Sequence, residues 1–178
     1  KAFAADHDIF LKLEGFNVTG SIKIKTAIGL IEDLEKRGIA KPGETVIVES
    51  SSGNLGIALS LVCAIKRYKF ICVTDSNATH ANIRGMELYG AEVCVVEDRD
   101  TEGGYLANRF KIINRILETE PHAVWLNQYD NIANKNVHAE QTAKEIARAF
   151  DTVDWVFVGA GTTGTLAGIS EQLRRTYP

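Results

Sequence analysis

Thr45-Val46-Ile47-Val48-Glu49-Ser50-Ser51-Ser52-Gly53-Asn54-Leu55-Gly56-Ile57 decides the reading of this chain. A run of β-branched residues breaks into small polar residues and glycine, then opens onto an apolar helical stretch, Ile57 to Ile65. A strand that is apolar throughout must be covered on both faces, which is the condition of a strand in a parallel sheet. Similar runs occur at Ile9 to Leu13, Lys69 to Thr74, Glu92 to Val96, Ala123 to Leu126 and Trp155 to Val158, giving six expected strands. Helix-length patterns separate them. The clearest is Ser21 to Arg37, where Ile24, Ala27, Ile28, Ile31 and Leu34 recur at helical spacing and Gly38 suits a C-terminal cap. Strand and helix alternation requires crossovers, so the expected class is α/β, a doubly wound, mainly parallel sheet with helices on both faces.

The 178 residues, 45% hydrophobic and 24% charged, can bury a full core, and a net charge of −3 supplies no positive field for nucleic acid or anionic lipid. No nucleic-acid or membrane partner is therefore expected. Cys63, Cys72 and Cys94 are odd in number and sit in or beside apolar stretches, which suits reduced core thiols rather than disulfides or a metal site, and a cytoplasmic protein. No run is long enough to span a bilayer, and nothing resembles a targeting segment. The chain opens at Lys1 without methionine and stops directly after an expected helix, so it is expected to be incomplete at both ends.

In such folds ligands gather where strands end and helices begin, because loop amides and positive helix ends converge there. Three turns qualify. Glu14 to Lys23 passes Gly15 and Gly20 and puts a lysine in the first turn of a helix, where partial desolvation and the helix end both disfavour the ammonium form. Such an amine can add to an aldehyde, although most first-turn lysines are solvated charges. Glu49 to Gly56 crowds three serines, an asparagine and two glycines at one helix start, where one serine would suffice as a cap, so the excess points to a loop that holds a carboxylate. Gly159-Ala160-Gly161-Thr162-Thr163-Gly164-Thr165 can curl around an anion and add hydroxyl donors. It also matches the G-x-G-x-x-G dinucleotide pattern, which is weak alone, and its three threonines favour a monophosphate. A purely structural glycine turn is the plain alternative.

With these turns in this order, nearly the whole chain resembles the cysteine synthase and cystathionine β-synthase family of fold type II pyridoxal-phosphate enzymes. The lysine turn resembles N-P-x-G-S-x-K, the serine loop T-S-G-N-T-G, and the late loop G-T-G-G-T. The resemblance implies a two-subdomain architecture: residues 17–131 as a smaller cofactor and substrate domain, with 1–16 and 132–178 part of the larger domain that binds the cofactor phosphate. It makes Lys23 the Schiff-base lysine for pyridoxal 5'-phosphate, with Asn54 bonded to the ring oxygen. Ser51, Ser52 and Asn54 would hold the substrate carboxylate, Gln128 would lie beside the substrate, and Gly161, Thr162, Thr163, Gly164 and Thr165 would bind the phosphate. Lys25, off the matched position, reads as a solvated charge.

Departures narrow the reading. Ile24-Lys25 replaces the usual Asp-Arg pair, Leu55 a threonine of the substrate loop and Thr163 a glycine of the phosphate loop. Leu55, Thr162-Thr163, Gly103 to Leu106 with Arg109, and Asn127-Gln128-Tyr129 look more like a subgroup that makes 2,3-diaminopropionate precursors by joining O-phosphoserine to glutamate. Arg109 is then the candidate cation for the leaving phosphate, because a guanidinium fork matches phosphate oxygens. Tyr129 is a second candidate substrate contact. The likeness implies amino-acid substrates, β-replacement chemistry and a homodimer. The rivals are sulfur-amino-acid synthesis, a non-catalytic binding homologue, and a nicotinamide-binding domain built on Gly159 to Gly164.

Overall fold

The computed structural model describes residues 7–177. Four strands form one parallel sheet in the order β3-β2-β1-β4: β1 Val46–Ser50, β2 Lys69–Asp75, β3 Glu92–Val96 and β4 Ala123–Trp125. Helices α1 Lys23–Lys36, α2 Asn54–Lys66, α3 His80–Leu88 and α4 Leu106–Thr119 connect or flank them. α5 Ala133–Val137, a π-helical turn at His138–Ala143, α6 Lys144–Ala149 and α7 Gly164–Thr176 follow.

Side-chain alternation along the strands builds two cores. Ile47, Phe70, Cys72 and Leu126 pack with Leu30 and Ile31 of α1, Leu59 and Cys63 of α2, and Met86 of α3. Val46, Val48, Ile71 and Val73 point the other way onto Ile113 and Phe110 of α4. Helices thus cover both faces, and burial on both sides explains why the strands lack polar alternation. Cys63 and Cys72 are buried and unpaired by disulfide, and burial pushes both thiols up to about 12, as expected of inert core thiols.

Local signals agree with the elements. α1 ends where Gly38 takes φ +68°, its N–H bonding the Glu35 carbonyl at 3.0 Å. α3 is capped by Thr79, whose Oγ1 accepts from the Asn82 N–H at 3.2 Å.

Two of the six expected strands are not formed. Ile9 to Leu13 and Trp155 to Val158 have no ladder partner among the described residues, and Trp155 and Phe157 are 82% and 94% exposed. Apolar, β-branched character makes a segment able to pair, but a strand also needs a neighbour to accept its hydrogen bonds.

Beyond the sheet, three glycines let helices approach closely. A Cβ on Gly29 of α1 would stand 2.7 Å from Val137 Cβ, and one on Gly164 of α7 would stand 2.5 Å from Asn134 Cγ. On Gly168 it would run into the Lys135 carbonyl and the Ala139 and His138 atoms beside it. α1, α5 with the π-helical turn, and α7 therefore form one tightly stacked unit. Gly168→Ala should cost about 1–3 kcal/mol, because backbone cannot yield as a side-chain tip can. Denaturant unfolding will show this as a lowered midpoint; an unchanged midpoint would contradict the close packing.

Candidate active site

The stacked helices bring the first and third turns of the sequence to one cavity. About 430 Å³ in volume, it is lined by Ser21, Ile22 and Lys23 on one side and by Gly159 and Gly161 through Thr165 on the other, with Glu14 and Thr142 at its edges. Lys23 opens α1, and its amine is half-buried; burial lowers its pKa below the ordinary lysine value. None of the ion pairs among the described residues engages it.

Opposite, the Gly159 to Thr165 turn runs into α7, whose first amides have no intrahelical acceptor. Thr163 holds φ +66°, the left-handed region that a glycine enters freely and a β-branched residue enters only at a cost of roughly 1–2 kcal/mol. The resembled pattern has glycine at that position, and the threonine here adopts the same left-handed conformation. Asn134 Nδ2 donates to Thr162 Oγ1 at 3.0 Å and to the Gln128 carbonyl at 2.9 Å, while its side chain fills the space against Gly164.

Behind the cavity lies His138, fully buried. Its Nε2 is 3.0 Å from Thr26 Oγ1 of α1 and 3.2 Å from Thr165 Oγ1 of α7, and its Nδ1 is 3.0 Å from Thr142 Oγ1. Hydroxyls both donate and accept, so they satisfy a neutral imidazole in either tautomer. Burial, then the nearby Lys23 and Lys25 charges, bring its pKa down to about 4. The imidazole is thus a neutral brace between the lysine helix and the glycine-threonine turn. The lone histidine of Asn136-Val137-His138-Ala139, flanked by apolar and small residues, was the available sequence signal for it.

The other expected site residues gather elsewhere, at the carboxyl ends of β1 and β4. The strand order reverses between these two strands, which is where open α/β sheets take ligands. Ser51 Oγ accepts from the N–H groups of Gly53 at 3.3 Å and Gly56 at 3.0 Å, so it shapes the start of α2 while its own hydroxyl proton stays available. Ser52 is half-buried, its carbonyl held by Asn82 Nδ2 at 3.0 Å, and Asn54 is exposed at the first position of α2. Gln128 is buried, with Nε2 donating to the Ser50 carbonyl at 2.8 Å. The Tyr129 ring stands edge-on to Phe110 at 6.1 Å. None of these lines the cavity of Lys23. Neither does Arg109, whose Nε sits 3.4 Å from Asp75 Oδ2 and makes no hydrogen bond there.

Lys25 is not a solvated charge. Its side chain is 15% exposed and its Nζ lies 2.9 Å from Glu14 and 2.6 Å from Glu145, which Lys12 also contacts at 2.7 and 2.6 Å. Helix periodicity alone could not reveal this, because both acidic partners belong to other segments.

A family model described as "Pyridoxal-phosphate dependent enzyme" matches residues 1–178. The chain belongs to the pyridoxal-phosphate dependent enzymes. An N-(2-amino-2-carboxyethyl)-L-glutamate synthase of Ralstonia nicotianae is 43% identical over 172 residues, 96% of this chain and 51% of that protein. A cysteine synthase of a Flavobacterium species is 39% identical over 178 residues, 99% of this chain and 56% of that protein. Among solved structures, a hydrogen sulfide-producing enzyme from Fusobacterium nucleatum superposes with a TM-score of 0.85 at 33% identity, covering 92% of this chain and 52% of that one. O-ureido-L-serine synthase gives 0.82 at 35% identity, with coverage of 92% and 51%. The chain spans about half the length of the relatives it matches.

The residues present fit the cofactor of this pyridoxal-phosphate family. Pyridoxal phosphate carries an aldehyde and a phosphate on one small ring, so its holder must set an amine opposite a group of anion donors. Lys23 and the Gly161 to Thr165 turn do so across one cavity.

His138 supplies a pH signature. Its folded-state pKa lies below its unfolded value near 6.5, so the stability it secures is complete above that value and is lost as pH falls towards about 4, by up to ~3 kcal/mol. In chemical denaturation across this window, His138→Gln should show a shallower pH dependence than wild type; parallel curves would contradict the buried neutral imidazole.

Proposed function

We propose that the protein of this chain catalyses β-replacement on an O-activated L-serine, with O-phospho-L-serine and L-glutamate as the preferred substrates and a 2,3-diaminopropionate precursor as the product. The observation that carries the chemistry is the shared cavity of Lys23 and Gly161 to Thr165. The choice of substrates is supported by two relatives, from Ralstonia nicotianae and Cupriavidus metallidurans, that are named N-(2-amino-2-carboxyethyl)-L-glutamate synthase and are 43% and 37% identical.

When bound, pyridoxal phosphate supplies an electron sink for the carbanion formed at a substrate α-carbon. Lys23 would anchor the aldehyde end; burial lowers its pKa, which favours the neutral amine needed both to attach there and to carry the α-proton. The α7 amides and the Thr162, Thr163 and Thr165 hydroxyls would take the phosphate, which the positive helix end favours. Asn54 would bond the ring oxygen. Ser51, Ser52 and Asn54 receive the substrate carboxylate, and Gln128 and Tyr129 lie beside the substrate. Arg109 meets the leaving phosphate by exchanging part of its pairing with Asp75. Residues 17–131 would form the smaller subdomain, with 1–16 and 132–178 in the larger one, and closure of the smaller over the substrate would exclude water.

The cysteine synthase likeness at 39% identity favours one second reading, in which a thiol rather than an amine adds to the β-carbon. Incubation of the cofactor-loaded protein with O-phosphoserine and either glutamate or sulfide, with the product identified by mass, separates the two. The glutamate adduct is expected, and a product with sulfide alone would overturn the preferred substrates. Lys23→Ala should also lose the visible absorbance band that borohydride removes from the wild type; its persistence would remove Lys23 from the proposal.

A further inference from the structure

At the root of the serine loop lies a buried carboxylate. Glu49, fully buried near the end of β1, receives the Ser50 N–H on Oε1 at 2.7 Å and the Gln128 N–H on Oε2 at 3.1 Å, with Trp125 Nε1 at 3.5 Å. Gln128 closes the ring by donating Nε2 to the Ser50 carbonyl at 2.8 Å. The ring then continues: Asn134 Nδ2 joins the Gln128 carbonyl to Thr162 Oγ1. One hydrogen-bonded path therefore runs from the serine loop, through the Gln128 turn, to the glycine-threonine turn. Asn127, just before Gln128, is held at φ +49°, a backbone state that needs support from its surroundings.

We propose that Glu49 is a positioning residue, whose carboxylate locks the Gln128 turn to the end of β1 so that a bound amino-acid substrate meets the serine loop and Gln128 in one fixed register. This rests on the β-replacement reading for its substrate, but not for its geometry. The lock needs two acceptor oxygens, which an ionised carboxylate has and a protonated one does not keep on equal terms. Burial raises the Glu49 pKa to about 7, against the pull of the Ser50 and Gln128 N–H groups, the Trp125 indole and the Arg109 guanidinium. Around it stand Arg109 from α4, itself paired with Asp75 of β2, the Cys72 thiol of β2, and the Trp125 N–H of β4. The lock is therefore made as pH rises through about 7 and loosened as pH falls below it, even though ionising the buried group opposes folding over the same range.

Glu49→Gln keeps the shape but presents an NH2 group to one of the two backbone N–H groups. In the cofactor-loaded protein, amide hydrogen exchange at Gln128 should lose about tenfold in protection, the size expected for one buried hydrogen bond. The KM for the amino-acid substrate should rise about tenfold with kcat changed less than about threefold, and the rise of wild-type KM below about pH 7 should be absent from the variant. The exchange measurement needs no turnover, so a wrong substrate assignment leaves it readable. Unchanged Gln128 protection would overturn the lock, and lost protection with wild-type KM and pH profile would overturn its role in positioning. If Glu49→Gln does not fold, wild-type protection at Gln128, corrected for intrinsic exchange, should fall as pH drops through about 7; a flat profile would overturn the proposal.

Discussion

Everything at the candidate site depends on how closely three helical segments approach. Lys23 begins α1 and the glycine-threonine turn begins α7, and the chain separates them by well over a hundred residues. What joins them is the α5 and π-helical segment, which touches α1 where Gly29 admits Val137 and touches α7 where Gly164 and Gly168 admit Asn134 and the Lys135 carbonyl. A methyl group at Gly168 would meet backbone and push a helix outward, and one at Gly29 or Gly164 would displace Val137 or Asn134 from its seat. His138 then adds direction to the contact, because its two ring nitrogens reach threonines on α1, on α7 and on its own segment. Packing sets the distance and the imidazole sets the facing, and the cavity is what remains between them.

The π-helical turn at His138–Ala143 belongs to the same device. An extra residue in one helical turn re-aims the side chains after it, and such turns are frequent at functional sites. Within it His138 bonds Thr142, and His138 also reaches two neighbouring helices.

Much of this was legible in the residues themselves. β1 to β4 fall within a residue or so of where Thr45, Lys69, Glu92 and Ala123 begin their apolar runs, because strands buried on two faces leave that mark regardless of neighbours. That Lys23 and Gly161 to Thr165 face one cavity was implied by the resemblance of their two turns to the family's. Ile9 to Leu13 and Trp155 to Val158 carry the same apolar mark without a partner strand among the described residues, since composition reports the capacity to pair and not the presence of a partner. His138, Asn134 and Glu49 escaped because their meaning lies in contacts between distant segments, such as Thr26 with His138 and Glu49 with Gln128. Lys25 was misread for the same reason, its acidic partners lying on other segments.

The central claim is that one small group spans the gap between the Lys23 amine and the α7 turn. A crystal structure of the protein loaded with pyridoxal phosphate tests it most directly. Continuous density is expected from Lys23 Nζ to a phosphate enclosed by residues 161–165, with His138 still bridging Thr26 and Thr165. A phosphate bound away from that turn, or a Lys23 side chain directed out of the cavity, would contradict it.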